Sequence, residues 1–217
     1  MFCYLEDIKE DVRVVLDENK VSDNMMNETD TLSVDDIIRS KIEEAVNNVH
    51  LMAPTHLLEP GNYFGESIAW DKEWGKGSGC VPLPDDFLRL VSFKMSDWER
   101  PVYSAILPDD PLYLQQSSRF AGIRGNRQKP VCAIVMRATG RVLEFYSCSG
   151  GEGVTIDMAL YIPRVAIVKH DEETEGIMIC DGCYRSVVYK AAGLAAMSLG
   201  EMEKAKALFE ISNELLK

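Results

Sequence analysis

Apolar positions along the chain change period twice, and those changes divide it. Leu5, Ile8, Val12, Val15 and Leu16 recur at helical spacing, which predicts an amphipathic helix over 3–17 with Glu6, Asp7, Glu10 and Asp11 outward. Residues 18–32 are polar and aperiodic and predict a loop. At Ser33 the pattern Ser-x-x-Asp supplies a cap, Asp35 and Asp36 suit the positive end of a helix, and Val34, Ile37, Ile38, Ile42, Ala45, Val46 and Val49 form one stripe. A helix over 34–52 follows. Between Pro54 and Gly79, prolines, glycines and scattered aromatics predict a long loop or a small hairpin.

The period then drops to two. Pro82 and Pro84 hold the backbone extended, and Val91-Ser-Phe-Lys-Met-Ser alternates as a strand with one buried face. Strands are expected at 101–106, 131–137, 141–148 and 154–162, with Ala138-Thr-Gly140 closing a hairpin. A helical period returns at Tyr184, in Val187, Val188, Ala191, Leu194, Ala195 and Leu199, then in Met202, Ala205, Leu208, Phe209, Leu215 and Leu216, with Gly200 at the break. The Ala-rich first segment is expected at the centre of the core, against helix 34–52. The pattern predicts one α+β domain over 1–217: a small helical bundle from both chain ends (3–17, 34–52, 184–217) with an inserted antiparallel β meander in a β-rich insertion over 80–170.

Charge adds a local feature to this outline. The 217 residues carry a net charge of −12, which argues against a general nucleic-acid binder. Yet residues 118–141 contain Arg119, Arg124, Arg127, Lys129, Arg137 and Arg141 and no acid, so this stretch is +6 and the remainder −18. The segment 117–130 reads as a mobile cationic loop. It faces DNA phosphates, or an acidic surface on a neighbouring copy, or solvent alone. Contacts of a +6 patch with a −18 body are head-to-tail and generate rings.

Chemistry-bearing patterns are sparse. Cys180-Asp-Gly-Cys183 has the spacing of a zinc or redox pair, but no second close pair completes four ligands and His50, His56 and His170 fall in no ligand spacing. The alternative is a turn before a helix with Asp181 as its cap. The glycine-rich stretches 74–79 and 149–153 lack a phosphate-loop ending, and the acidic run 171–175 lacks the alternation of a calcium loop. No Gly-x-Ser-x-Gly elbow occurs. The six cysteines are scattered, no basic-apolar leader opens the chain, and no apolar run approaches a membrane span. A reduced, cytosolic, soluble and non-enzymatic protein without a cofactor is expected.

Pro82-Leu-Pro-Asp-Asp-Phe-Leu-Arg-Leu-Val91 is similar to the Leu-Pro-x-Asp-hydrophobic-Leu-Arg strand start of the bacteriophage head-to-tail connector, or tail adaptor, family. The helix Tyr184-Arg-Ser-Val-Val-Tyr-Lys-Ala-Ala-Gly-Leu-Ala-Ala196 and the final Glu-Lys-Ala-Lys-Ala-Leu-Phe-Glu-Ile segment resemble that family's late helices. The resemblance covers about two thirds of the chain; the acidic start before Ser33 and the loop 54–79 depart from it. It implies a virion protein assembled in the bacterial cytoplasm, a homo-oligomeric ring of typically twelve copies between portal protein and tail proteins, with DNA passing through the lumen. Arg119, Arg124, Arg127 and Lys129 are then candidates for lumen or subunit contact. Glu203, Lys204, Lys206, Phe209 and Leu216, on helix 201–217, are candidates for portal docking.

Overall fold

Ser33 Oγ accepts a hydrogen bond from the backbone N–H of Asp36, and the Asp36 carboxylate accepts one from Ser33 N–H, closing the capping box that its spacing predicts. The helix so started runs Val34–Met52. The computed structural model describes residues 1–16, 33–59, 61–71, 77–118, 120, 123–146, 148–149, 153–171 and 174–217. Their elements in chain order are β1 (Phe2–Tyr4), α1 (Leu5–Leu16), α2 (Val34–Met52), β2 (Asn62–Tyr63), β3 (Ala69–Trp70), β4 (Gly79–Pro82), β5 (Phe87–Met95) and α3 (Pro111–Gln115). There follow β6 (Cys132–Arg137), β7 (Gly140–Phe145), β8 (Ile156–Pro163), β9 (Val168–Lys169), β10 (Glu175–Met178), α4 (Tyr184–Ser198) and α5 (Met202–Glu214). Among the described residues the fold is mixed, with five α-helices and three antiparallel sheets. None of these helices is long and apolar enough to cross a membrane.

Contacts divide the chain into two compact units, Met1–Glu59 with Arg164–Lys217, and Pro60–Pro163, where the sequence pattern predicts one domain with its β-rich part at 80–170. In the first unit α4 is buried on nearly every side through Val187, Val188, Ala191, Ala192, Ala195 and Ala196, and it packs on α2, α1 and α5. Small residues permit that. A Cβ at Gly193 would sit 2.6 Å from the Phe209 ring, and Ser186 and Ser212 exchange hydrogen bonds across the α4–α5 crossing. Gly200 takes φ +85°, the left-handed conformation that separates the two helices. Tyr184 O–H donates to Asp11, and Lys204 Nζ donates to Leu16 O at the end of α1. Asp11 is therefore engaged, not simply outward.

The same unit holds a sheet, β1-β10-β9, that the hydrophobic pattern does not reveal, since strands of two to four residues carry no measurable period. The helix expected from residue 3 accordingly starts at Leu5.

In the second unit the sheets are β2-β8-β5 and β3-β4-β7-β6. The expected hairpin forms, β6 pairing β7 from Cys132↔Phe145 to Arg137↔Gly140, with Gly140 at φ +117°. The expected meander does not. β5 pairs β8 and skips the hairpin, which instead joins β4. Register shifts within the β5–β8 pair break the strict alternation, so Ser92 and Phe93 are both buried. Residues 101–106 make two isolated bridges, Phe93↔Val102 and Ile106↔Ala133, and no strand. Pro101 and Pro108 bound this stretch and withhold ladder donors. The unit's core gathers Phe64, Phe87, Phe93, Trp98, Phe145 and Tyr161, with offset and edge-on ring contacts at 5.6–6.1 Å.

Candidate interaction surface

Asp110 starts α3 by accepting a hydrogen bond from Leu112 N–H, with Pro111 in the first turn. This five-residue helix is fixed from one side only. Tyr113 O–H donates to Glu144 Oε2, and Gln116, three residues on, is buried, its Nε2 donating to Leu112 O and its Oε1 accepting from Gly125 N–H at 2.9 Å. With Tyr113 and Gln116 turned inward, Leu112 and Leu114 are left in solvent, Leu114 76% exposed. Beyond the helix, Phe120 (72% exposed) and Ile123 are exposed as well.

The last part of the basic loop, residues 126–129, is held by hydrogen bonds, which its composition alone does not suggest. Asn126 Oδ1 accepts from the N–H groups of Gln128 and Lys129, and Arg127 Nε donates to Asp97 O at 2.8 Å with the Asp97 carboxylate 3.7 Å away. The six cations of this stretch do not act as one patch. Arg137 and Arg141 turn into the unit, Arg137 to Glu144 and Arg141 to the carbonyls of Asp85 and Phe87. Arg119 lies outside the described residues. Arg124, Arg127 and Lys129 remain at the surface. Arg124, without an ion-pair partner among the described residues, lines a cavity of about 470 Å³ with Arg127, Gln128, Glu99, Tyr146 and Cys148.

Beneath this surface lies a buried polar cluster. Glu144, 2% exposed, accepts from Arg137 Nε at 2.8 Å and from the hydroxyls of Tyr113 and Tyr146. Burial and the Glu144 charge raise both tyrosines, Tyr146 far above the ordinary phenol value. Burial likewise raises Cys80, whose sulfur lies 3.5 Å from Arg137 Nη1. Sequence reasoning passed over Glu144. Its signal is a single acid inside the apolar run Val142-Leu-Glu-Phe-Tyr146, on a strand that pairs on both sides.

The thiols of Cys132, Cys148 and Cys183 are held in their protonated forms. Burial raises Cys132, and burial together with the Asp97 charge raises Cys148. In the helical unit burial pushes Cys183 up to about 11, the neighbouring Cys180 adding to the shift, and the Cys183 thiol points to Leu57 O. A buried thiol that resists ionisation is a poor nucleophile and a poor ligand. Among the described residues no group of three or more His, Cys, Asp or Glu is placed to hold a metal ion. Asp181 does not cap α4. It lies in a one-turn 3-10 segment, Asp181–Cys183, and no side chain caps the helix that follows.

His50 accepts from Cys180 N–H through Nε2, while its Nδ1 is buried without a hydrogen-bond partner. Burial lowers its pKa below 6.5. The unfolded chain thus takes a proton at His50 before the folded one does, so stability is full above pH 6.5 and falls as the pH drops toward the folded value. Melting temperatures of the full chain from about pH 7 to about pH 5 are expected to fall less steeply for His50→Gln than for the parent. Parallel profiles would contradict this.

Of the residues assigned to α5 and its end, Glu203 and Lys206 are exposed. Lys204 is bound to Leu16 O and to Glu201, Phe209 packs over Gly193 with the Lys190 ammonium 4.6 Å from its ring, and Leu216 is buried. The structure therefore leaves Glu203 and Lys206 exposed on α5 and turns Phe209 and Leu216 into the helical unit. It groups Arg124, Arg127 and Lys129, and adds Leu112, Leu114, Phe120 and Ile123, which sequence reasoning had not singled out. No family model matches this chain, and no curated protein matches it.

Proposed function

We propose that this chain is a structural, non-enzymatic virion protein, a head-to-tail connector that acts by adhering to copies of itself and to larger assemblies. In this reading it forms a ring, of about twelve copies by resemblance, between portal protein and tail proteins, with DNA crossing the lumen and no sequence-specific contact to it. One observation carries the reading. Leu112, Leu114, Phe120 and Ile123 are exposed within twelve residues of one another, beside Arg124 and Lys129, on a chain of net charge −12. A soluble monomer rarely presents such a cluster unless something covers it.

The order of parts supports the same reading. One compact unit draws on residues 1–59 and 164–217 and the other on 60–163, and the resemblance at 82–91 and 184–196 implies helices from both chain ends around a β insertion. On α5 the exposed Met202, Glu203 and Lys206 are the portal-docking candidates, and Lys204, Phe209 and Leu216 position the helix from within. The test is genetic. Deleting the protein from the phage that encodes it is expected to leave filled heads and free tails that do not join, seen by electron microscopy; tailed, infectious particles in normal yield would refute the proposal.

A further inference from the structure

Residues 180–183 form one hydrogen-bonded turn, Cys183 N–H donating to Cys180 O at 2.8 Å, and Asp181–Cys183 wind as a single 3-10 segment before α4. A turn closed in that way brings the Cα atoms of its first and fourth residues within about 7 Å, and 3-10 winding sets side chains three apart on one side. A disulfide needs Cα atoms about 4.4–6.8 Å apart and side chains that converge. Cys180 and Cys183 meet both conditions with little movement of the backbone. The charge of Cys180 adds to the upward shift of Cys183, which is the behaviour of close neighbours.

Nothing else engages the pair strongly. Cys183 Sγ has only a long contact to Leu57 O at 3.8 Å, and no hydrogen bond holds the Cys180 thiol among the described residues. Asp181 and Gly182, at the tip of the turn, are exposed, Cys180 is 8% exposed, and Cys183 is fully buried. A reagent arriving from solvent thus meets Cys180 first. Elsewhere burial raises Cys3, Cys80, Cys132 and Cys148, which makes each a slower nucleophile. Among the described residues no third metal-ligating side chain joins the two thiols, so the chemistry this spacing serves is oxidation of the pair.

We infer that Cys180 and Cys183 form a reversible dithiol modification site whose reactants are low-molecular-weight disulfides such as oxidised glutathione. Cys180 gives its proton to water and its thiolate attacks one sulfur of the reagent, whose other half leaves as a thiolate. Cys183 then loses its proton and displaces the attached half from the Cys180 sulfur. One S–S bond breaks in the reagent and one forms in the turn; two protein thiols are oxidised and two reagent thiols are released. Burial makes Cys183 slow against a reagent in solution, but the second step is intramolecular and proximity offsets that. The site does not depend on ring assembly.

Incubating the full-length protein with oxidised glutathione and mapping its unreduced peptides by mass spectrometry tests the site. The Cys180–Cys183 disulfide is expected to form at least about tenfold faster than any other cysteine is modified, and excess reduced glutathione is expected to restore both thiols. Cys183→Ala is expected to stop at the mixed disulfide, with glutathione retained on Cys180, and Cys180→Ser to leave Cys183 unmodified. Should Cys183→Ala fail to fold, the parent and Cys180→Ser decide the matter on their own. Glutathione retained on Cys180 of the parent, earlier modification of Cys3 or of Cys132 and Cys148, or six unmodified thiols would overturn the inference.

Discussion

Glu144→Ala is expected to lower the stability of the β unit by about 4 kcal/mol, the range for removing one partner of a buried ion pair. Three groups lose the Glu144 carboxylate together: the Arg137 guanidinium, which keeps Asp71 at 3.5 Å, and the hydroxyls of Tyr113 and Tyr146. Arg137 is a third exposed and recovers some hydration, whereas Tyr146 is buried and recovers none. Glu144→Gln, which keeps an acceptor and the shape, is expected to cost about half as much. The loss extends to the interaction surface, because Tyr113 is the hydroxyl that holds α3 down. Urea unfolding of the two variants checks the order, and a loss below about 1 kcal/mol for Glu144→Ala would show that the cluster does not hold the unit together.

Phe93→Ala is expected to cost a similar amount, about 3–5 kcal/mol, for a different reason. Phe93 is fully buried, and its ring meets those of Phe64, Trp98 and Phe145 at 6.1, 5.6 and 6.0 Å. Deleting it leaves a void bounded by stiff rings that relax poorly, so the lost contacts are not regained. Phe93→Leu refills most of the volume and is expected to cost about 1 kcal/mol. Unfolding curves followed by tryptophan fluorescence measure both; equal stability of Phe93→Ala and parent would mean that the aromatic cluster is not the unit's core.

The helices were readable because their stripes are long. Ile38, Ile42, Ala45, Val46 and Val49 mark α2 over about three turns, Ser33 and Asp36 mark its start, and Gly200 marks the α4–α5 break; all three features occur as the pattern predicts. The hairpin of β6 and β7 was readable for the same reason, since Ala138-Thr-Gly140 fixes it locally. Pairing at a distance was not. The partners β5 and β8 lie more than sixty residues apart in register, Phe93 with Ala159, and alternation within a strand carries no information on which strand it meets. A meander is only the shortest connection, and burial of Phe87, Phe93 and Tyr161 in one cluster outweighed it.

The interaction surface was half legible. Charge counting located Arg124, Arg127 and Lys129, yet gave Arg137 and Arg141 the same weight, although both turn inward to Glu144 and to backbone carbonyls. Whether a cation faces solvent depends on a buried acceptor elsewhere in the sequence. The apolar half, Leu112, Leu114, Phe120 and Ile123, was not singled out, because a five-residue helix is too short to show which side is outward. Tyr113 and Gln116 decide that, through Glu144 and Gly125.

The central claim is that the chain works by joining copies of itself, and the native mass of the full-length protein, measured alone and with portal protein, tests it most directly. Multiples of the 24.3 kDa chain, converging on one closed assembly when portal protein is present, are the result predicted. A single-chain mass under both conditions, at concentrations well above those of assembly in a cell, would contradict it.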